Sequence, residues 1–262
     1  ALFFADNNKL EAIWSVIPAV VLAGLILYGL YAWNNIMFVD EEEDVVVIEL
    51  YAQQFKWSAR YAGADNVLGK ANVRLIEGVN TLGVDLADPN AQDDIVVSEL
   101  HIPKGKKVHF KIRSQDVLHS AYMPHFRAQM NCVPGMVTEF SFTPIYTSSE
   151  YRELPFMVEK VARINELRAK QSIKLVSEGK TALDPYTFDY LLLCNKICGA
   201  SHYNMQMKIV VDSPEDYKKW LSEQVALVKE VKAASETTPA EGTGSDSTTI
   251  TTDTAVAKIA MK

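Results

Sequence analysis

Cys194-Asn195-Lys196-Ile197-Cys198-Gly199-Ala200-Ser201-His202-Tyr203-Asn204-Met205 is the stretch on which the reading of this chain turns. It brings two thiols, an imidazole and a thioether into one loop, and a second imidazole, His119, stands upstream in a Val-Leu-His-Ser context. Soft sulfur donors beside imidazole suit copper, and a weak axial methionine marks sites that pass single electrons. Cys198, His202, Met205 and His119 would complete a mononuclear blue-copper set, which leaves Cys194 over. On a tight loop Cys194 can place its sulfur opposite that of Cys198, so that two copper ions share both thiolates. Each ion then takes one histidine. Met205 completes one ion weakly, and a backbone carbonyl inside the loop, that of Lys196, completes the other. The competing readings are a disulfide and a zinc site. A disulfide suits an extracytoplasmic compartment but leaves His119, His202 and Met205 without a purpose, and zinc has no use for Met205. Cys132 has no such company and reads as a small buried hydrophobe.

The surrounding sequence is rich in short β-type runs: 45–50, 95–97, 108–112, 137–142, 190–193 and 207–211, separated by Gly and Pro turns. Such spacing predicts an antiparallel barrel or sandwich, with metal ligands in loops at one end of a rigid scaffold. The stretch 62–94, rich in Gly, Asn and Asp, reads as a long connection between strands. Toward the amino end, 12–33 carries no charge and spans roughly 33 Å as a helix, enough for a bilayer core of about 30 Å. Trp14 near one end and Tyr28, Tyr31 and Trp33 near the other suit the two interfaces, and Pro18 should kink the helix. A basic segment before the run and a small-residue cleavage site after it, the marks of a signal peptide, are not visible. Asn8 with Glu11 makes a capping-box pattern at the start.

The pattern Cys-x-x-Ile-Cys-Gly-x-x-His-x-x-Met, together with Ser114-Gln115-Asp116-Val117-Leu118-His119-Ser120 and Pro134-Gly135, resembles subunit II of the haem–copper cytochrome c oxidases. The resemblance runs from about Leu10 to about Trp220. It implies a mainly β, cupredoxin-like Greek-key domain tethered to the membrane, with a binuclear CuA centre held by His119, Cys194, the Lys196 carbonyl, Cys198, His202 and Met205. It also implies that Glu11-Ala12-Ile13-Trp14 opens the second helix of the family's membrane hairpin, the first having no counterpart here, and that Glu11 sits near a proton-pathway entrance. Phe55 aligns with the family's electron-accepting surface tryptophan and Trp57 with its neighbour, which makes both candidates for electron entry.

Three departures from the family qualify the picture. Lys196 replaces a glutamate that binds magnesium, so this chain is expected to supply no Mg ligand. Gln129 and Asn131 replace charged positions, which puts the usual docking pattern for soluble cytochrome c in doubt. Material at about 147–186 is inserted before the ligand loop, with helix-like spacing over 158–176; it is expected to help dock a dedicated donor.

Beyond the last β run, Ser213-Pro214-Glu215-Asp216 opens a helix expected to reach about Ala233, followed by a Ser/Thr/Gly-rich tail expected to lie along a partner. The chain therefore divides into 1–40 (membrane helix and flanks), 41–212 (extracytoplasmic domain) and 213–262. A Cys-x-x-Cys-His motif is absent, so no haem is expected on this chain and the electron donor is another polypeptide. The 262 residues carry 26 basic and 33 acidic side chains, net −7, which argues against nucleic acid and allows an acidic face for a basic partner. The resemblance implies an electron-entry subunit that takes electrons from a c-type cytochrome, free or in a stable supercomplex. It would pass them to haem in subunit I for oxygen reduction, with other oxidase subunits and lipid as neighbours, at the periplasmic side of a bacterial inner membrane. A membrane-anchored copper-delivery protein is the alternative.

Overall fold

The computed structural model describes residues 7–38 and 44–237. The tail from 238 onward, expected to lie along a partner, falls outside the described residues.

An apolar run with no polar face has nothing to gain from packing on a soluble core, and α1 (Asn8–Met37) buries none of its residues in the protein. Its most apolar window has a mean hydropathy of 2.2, long and apolar enough to cross a membrane. Helix geometry extends past the apolar stretch at both ends because the flanking Lys, Glu and Asn residues are tolerable helix formers. The expected capping box does not form: Asn7, one residue earlier, is the N-cap and accepts from the Leu10 amide, while the Glu11 amide donates to the Asn7 carbonyl. At its far end the helix is tied to the β domain, where the Ser141 hydroxyl donates to the Ile36 carbonyl at 2.8 Å.

The domain is a two-sheet, cupredoxin-like sandwich. One sheet is built from β1 (Val46–Gln53), β2 (Lys56–Tyr61), β3 (Ile95–Val97), β5 (Val108–Ser114) and β8 (Thr138–Phe142), in the order β3-β2-β1-β5-β8. The other holds β4 (Leu100–Pro103), β6 (His119–Met123), β7 (Ala128–Cys132), β9 (Tyr190–Cys194) and β10 (Gln206–Asp212), in the order β4-β10-β9-β6-β7. Both sheets are mixed rather than purely antiparallel, since β1 pairs with β5 and β4 with β10 in parallel. Those two pairings join strands that the chain reaches only after crossing between sheets, which no local turn signal announces. Strands β2, β4, β6 and β7 had no clear sequence signal. His119-Ser-Ala-Tyr-Met123 and Ala128-Gln-Met-Asn-Cys132 lack β-branched residues, and pairing with neighbours, not propensity, makes them strands.

Alternate residues of both sheets point inward, so that Ile48, Leu50, Phe110, Ile112, Ile102, Leu192 and Ile209 join one fully buried core. The connection 62–94 is not slack. It lays Leu82, Val84 and Ala91 against Tyr51 on the outer face of the first sheet, where Leu227 joins them. Asn80 knits that excursion, donating to the Val84 and Leu75 carbonyls and accepting from the Val84 amide. Beneath it Glu49 receives both Arg60 and Arg113, and Arg60 also reaches Asp94 at 2.9 Å.

The insertion folds as α2 (Ser148–Glu153), opened by a Thr147/Glu150 capping box, and α3 (Pro155–Ser177). The chain returns along α3, with Asn165 bonded to Tyr186 and Arg168 to the Asp184 carbonyl. Its root lies where β10 ends, since the Ser148 hydroxyl accepts from the Val211 amide. The insertion therefore does not lead directly into the ligand loop, as the sequence implied: the whole of β9 separates its root from Cys194. The expected single C-terminal helix is two, α4 (Pro214–Glu223) and α5 (Leu227–Thr237). Gln224 turns extended, and the Leu227 amide is drawn away to the Asp94 carbonyl at 2.7 Å.

Candidate metal centre

Four segments meet at the end of the sandwich where β6 begins and β9 ends. His119 is the first residue of β6, Cys194 the last of β9, and the loop from Asn195 to Met205 closes back onto β10. The loop is held at its neck, where the Cys194 amide donates to the Met205 carbonyl and the Asn195 amide to the Ser120 carbonyl, both at 3.1 Å. The two cysteine sulfurs lie 3.9 Å apart. A disulfide needs about 2.05 Å, so both cysteines are free thiols. Nδ1 of His119 stands 3.7 Å from the Cys194 sulfur, and Nδ1 of His202 stands 3.6 Å from the Cys198 sulfur. The Lys196 carbonyl is 3.2 Å from the Cys194 sulfur, and the Met205 thioether is 3.8 Å from the Cys198 sulfur. The order is thus imidazole, sulfur, sulfur, imidazole, with a carbonyl on one flank and a thioether on the other. All six of the expected donors come together.

That donor set fits a soft cation. Burial first, and then the neighbouring Cys194, push the Cys198 thiol up to about 11. A thiolate at Cys198 therefore calls for a positive charge beside it, which a bound metal ion would supply. His119 is fully buried. Its Nε2 lies 2.8 Å from Asp116 Oδ1, which leaves Nδ1 to face the sulfurs. Burial alone would raise the Asp116 carboxyl, but the Gln54 amide, His119 and the Val117 amide together hold it below the ordinary range.

The electron-entry candidates occupy different settings. Trp57 is buried and stands edge-on to the His119 ring at 6.3 Å. Phe55 is half-buried against the ligand loop. A side chain on Gly199, whose φ is 140°, would lie 2.9 Å from the Phe55 ring and from the Gln54 amide nitrogen. Glycine is required there both by conformation and by the closeness of that contact. Glu11 stands at the opposite end of α1 from the domain.

Two further residues prove central, Gln54 and Asp116. Asp116 stands in the stretch 114–120 and Gln54 opens the pattern Gln54-Phe55-x-Trp57, yet neither was assigned a role; an acid three positions before a histidine was the one physical signal available. The departure at Gln129 also has a local explanation. Gln129 bridges Ser120 and Asn195 as a neutral link to the ligand loop, whereas at Asn131 only the backbone carbonyl is used, by the Thr138 hydroxyl, and nothing in the structure explains the residue type. Cys132 pairs across the strands with His119 and is fully buried. Burial raises its thiol to about 12, as suits a packed hydrophobe.

The fold and this cluster define a cupredoxin-like domain on an apolar membrane-type helix, with a dithiol pocket suited to a soft metal. Residues 46–151 match the sequence model of the cytochrome c oxidase subunit II periplasmic domain. An alternative cytochrome c oxidase subunit 2 of Bradyrhizobium diazoefficiens is 36% identical over 226 residues, covering 86% of this chain and 66% of that protein. Cytochrome c oxidase subunit 2 of Thermostichus vulcanus is 26% identical over 247 residues, covering 84% of this chain and 62% of that protein. The periplasmic domain of subunit II (CoxB) of Bradyrhizobium japonicum aligns over 70% of this chain and 95% of its own, with a TM-score of 0.40 and 18% identity. The chain belongs to the cytochrome c oxidase subunit II family, and it spans 66% and 62% of the length of the two curated relatives named here.

Proposed function

We propose that this chain is the electron-entry subunit of a respiratory haem–copper oxidase, holding a binuclear CuA centre through His119, Cys194, the Lys196 carbonyl, Cys198, His202 and Met205. The observation that carries the reading is the imidazole-sulfur-sulfur-imidazole order, with the sulfurs 3.9 Å apart. Copper held by these residues would supply a site that takes up and releases one electron at a time.

The remaining work belongs to the protein. Asp116 fixes the His119 tautomer and ring orientation. Met205 and Cys198, both buried, keep water from one side of the pocket. Ile197 and Tyr203, 90% and 87% exposed, flank Cys198 and His202, and with Leu118 beside His119 they give an apolar rim against which a partner can exclude water. The loops that make this rim (53–56, 115–118, 131–137 and 195–206) carry no formal charge except Lys56, Asp116 and Lys196. A c-type cytochrome would dock here, with the half-buried Phe55 as the point of electron entry and Trp57 as packing behind His119. Electrons would pass to haem in subunit I through the 194–202 loop.

Lys196 presents its carbonyl inward and its cation outward, so the loop offers a hard dication no carboxylate. With the domain at one end of α1 and Glu11 at the other, Glu11 is suited to proton entry from the opposite side of the membrane. These assignments set the domain on the periplasmic face of a bacterial inner membrane, with α1 as its anchor.

The test is the electron paramagnetic resonance and optical spectrum of the copper-loaded, oxidised protein. An unpaired electron shared by two equivalent coppers is expected. A four-line mononuclear signal would remove Cys194 as a bridge, and no copper binding would remove the reading altogether.

A further inference from the structure

The two halves of the metal pocket come from distant parts of the chain. His119 belongs to the segment after β5, and the cysteine loop lies between β9 and β10. A third element touches both, the turn between β1 and β2, and one of its residues, Gln54, hydrogen-bonds to each. The Gln54 side-chain amide donates to the carbonyl of Cys198. The Gln54 backbone amide donates to Asp116 Oδ2 at 2.7 Å, and the other oxygen of that carboxylate holds His119 Nε2 at 2.8 Å. The turn is itself pinned, because Ala52 and Trp57, on either side of it, are an antiparallel pair of β1 and β2 and both are buried.

The geometry points to Gln54 as a positioning residue that locks the two ligand segments in register, so that the pocket is preformed before a metal arrives. The inference rests on the proposed copper site for its purpose, but its structural content is independent of that proposal. Three features favour a dedicated role over incidental packing. Gln54 is exposed and adds nothing to the core, yet both its donor groups point into the site. Each bond goes to a segment carrying a different ligand. Gly199, next to Cys198, leaves room for the Gln54 amide, since a Cβ there would stand 2.9 Å from its nitrogen. Groups outside the ligand shell that orient ligands typically change metal affinity by about 10–100-fold when removed.

Gln54→Leu keeps the size of the side chain and removes its donor; Gln53→Leu, one residue away, is the control. In the metal-free full chain, amide hydrogen exchange is expected to rise at 196–204 in Gln54→Leu and to stay at the wild-type level in Gln53→Leu. In the copper-loaded chain, loss of copper to a chelator is expected to accelerate about tenfold or more in Gln54→Leu alone. Unchanged exchange together with unchanged copper loss would overturn the assignment. Should Gln54→Leu fold poorly, Gln54→Asn, which shortens the reach to the Cys198 carbonyl, is expected to show the same pattern, and wild-type behaviour in it would equally overturn the assignment. If the wild-type chain takes up no copper, the proposed function fails, while the exchange measurement still decides whether Gln54 holds the loop.

Discussion

Asp116 and His119 lie three residues apart and are joined at 2.8 Å from Oδ1 to Nε2, so the carboxylate decides which nitrogen of the buried imidazole faces the sulfurs. Asp116→Ala is expected to leave the sandwich folded and to weaken copper binding about 10–100-fold, measured by competition with a chelator. The Asp116 carboxyl is held below its ordinary range in the folded state, so its stabilising contribution is complete above an unfolded value of about 3.9 and is lost as pH falls through the lower folded value. Its removal should therefore matter at neutral pH and cease to matter in strong acid.

Gly199 meets the Phe55 ring and the Gln54 amide at a distance no Cβ tolerates, and its φ of 140° disfavours any other residue. Gly199→Ala is expected to cost about 1–3 kcal/mol, the usual price of overpacking a close contact. It should also perturb the copper spectrum, because the displaced strand of the loop carries Cys198. A denaturant melt and an absorption spectrum of the same sample check both parts.

Glu49 and Asp94 share Arg60 but stand in different electrostatic positions. Glu49 is 3% exposed and is claimed by two arginines, so Glu49→Gln should cost about 3–5 kcal/mol by taking the carboxylate from Arg113 and leaving Arg60 with Asp94 alone. Burial raises Asp94 to about 6, against the pull of Arg60 and the Gly69 amide. Above that pH its charge detracts from stability, and below about 4 the folded and unfolded states are both protonated and the effect is gone. Asp94→Asn should thus cost much less than Glu49→Gln at pH 7. The stability of the wild type relative to Asp94→Asn should rise as pH is lowered from 7 to 5, which unfolding curves at both pH values would check.

The near-neutral loops around the donor cluster mean that the proposed docking of a cytochrome there would be steered little by charge, despite the net −7 of the chain. Between ionic strengths of about 0.01 M and 0.1 M the Debye length falls from about 30 to about 10 Å. Steered pairs change rate about tenfold or more over such a range; here the oxidation rate of a basic cytochrome c by the intact oxidase should change less than about threefold. Tyr203→Ser should slow that oxidation and leave the copper spectrum unaltered. A steep salt dependence would assign docking to an acidic face elsewhere on the domain.

The candidate donor cluster was legible because most of it is local: Cys194 to Met205 is one loop, and its spacing gathers soft donors. The apolar helix and the stronger strands were legible for the same reason. Gln54 was not, since its bonds reach residues 62 and 144 positions away and its neighbours give no hint of either. Strands β6 and β7 were hidden because Ser, Ala, Gln and Asn become strand residues only once a partner is alongside. The break between α4 and α5 was hidden because the Asp94 carbonyl that draws the Leu227 amide away lies far upstream.

The order β4-β10-β9-β6-β7 places the last two strands to be synthesised at the middle of their sheet. As the polypeptide emerges from its amino end, β4 and β6 must wait with unpaired edges until residues 190–212 arrive to join them. Half of the pocket, His119 and Asp116, is therefore made long before the other half exists. A pocket built from both halves closes only once residues 190–212 have joined the sheet, so the two sides of the donor cluster are brought together by long-range strand pairing and not by any local turn.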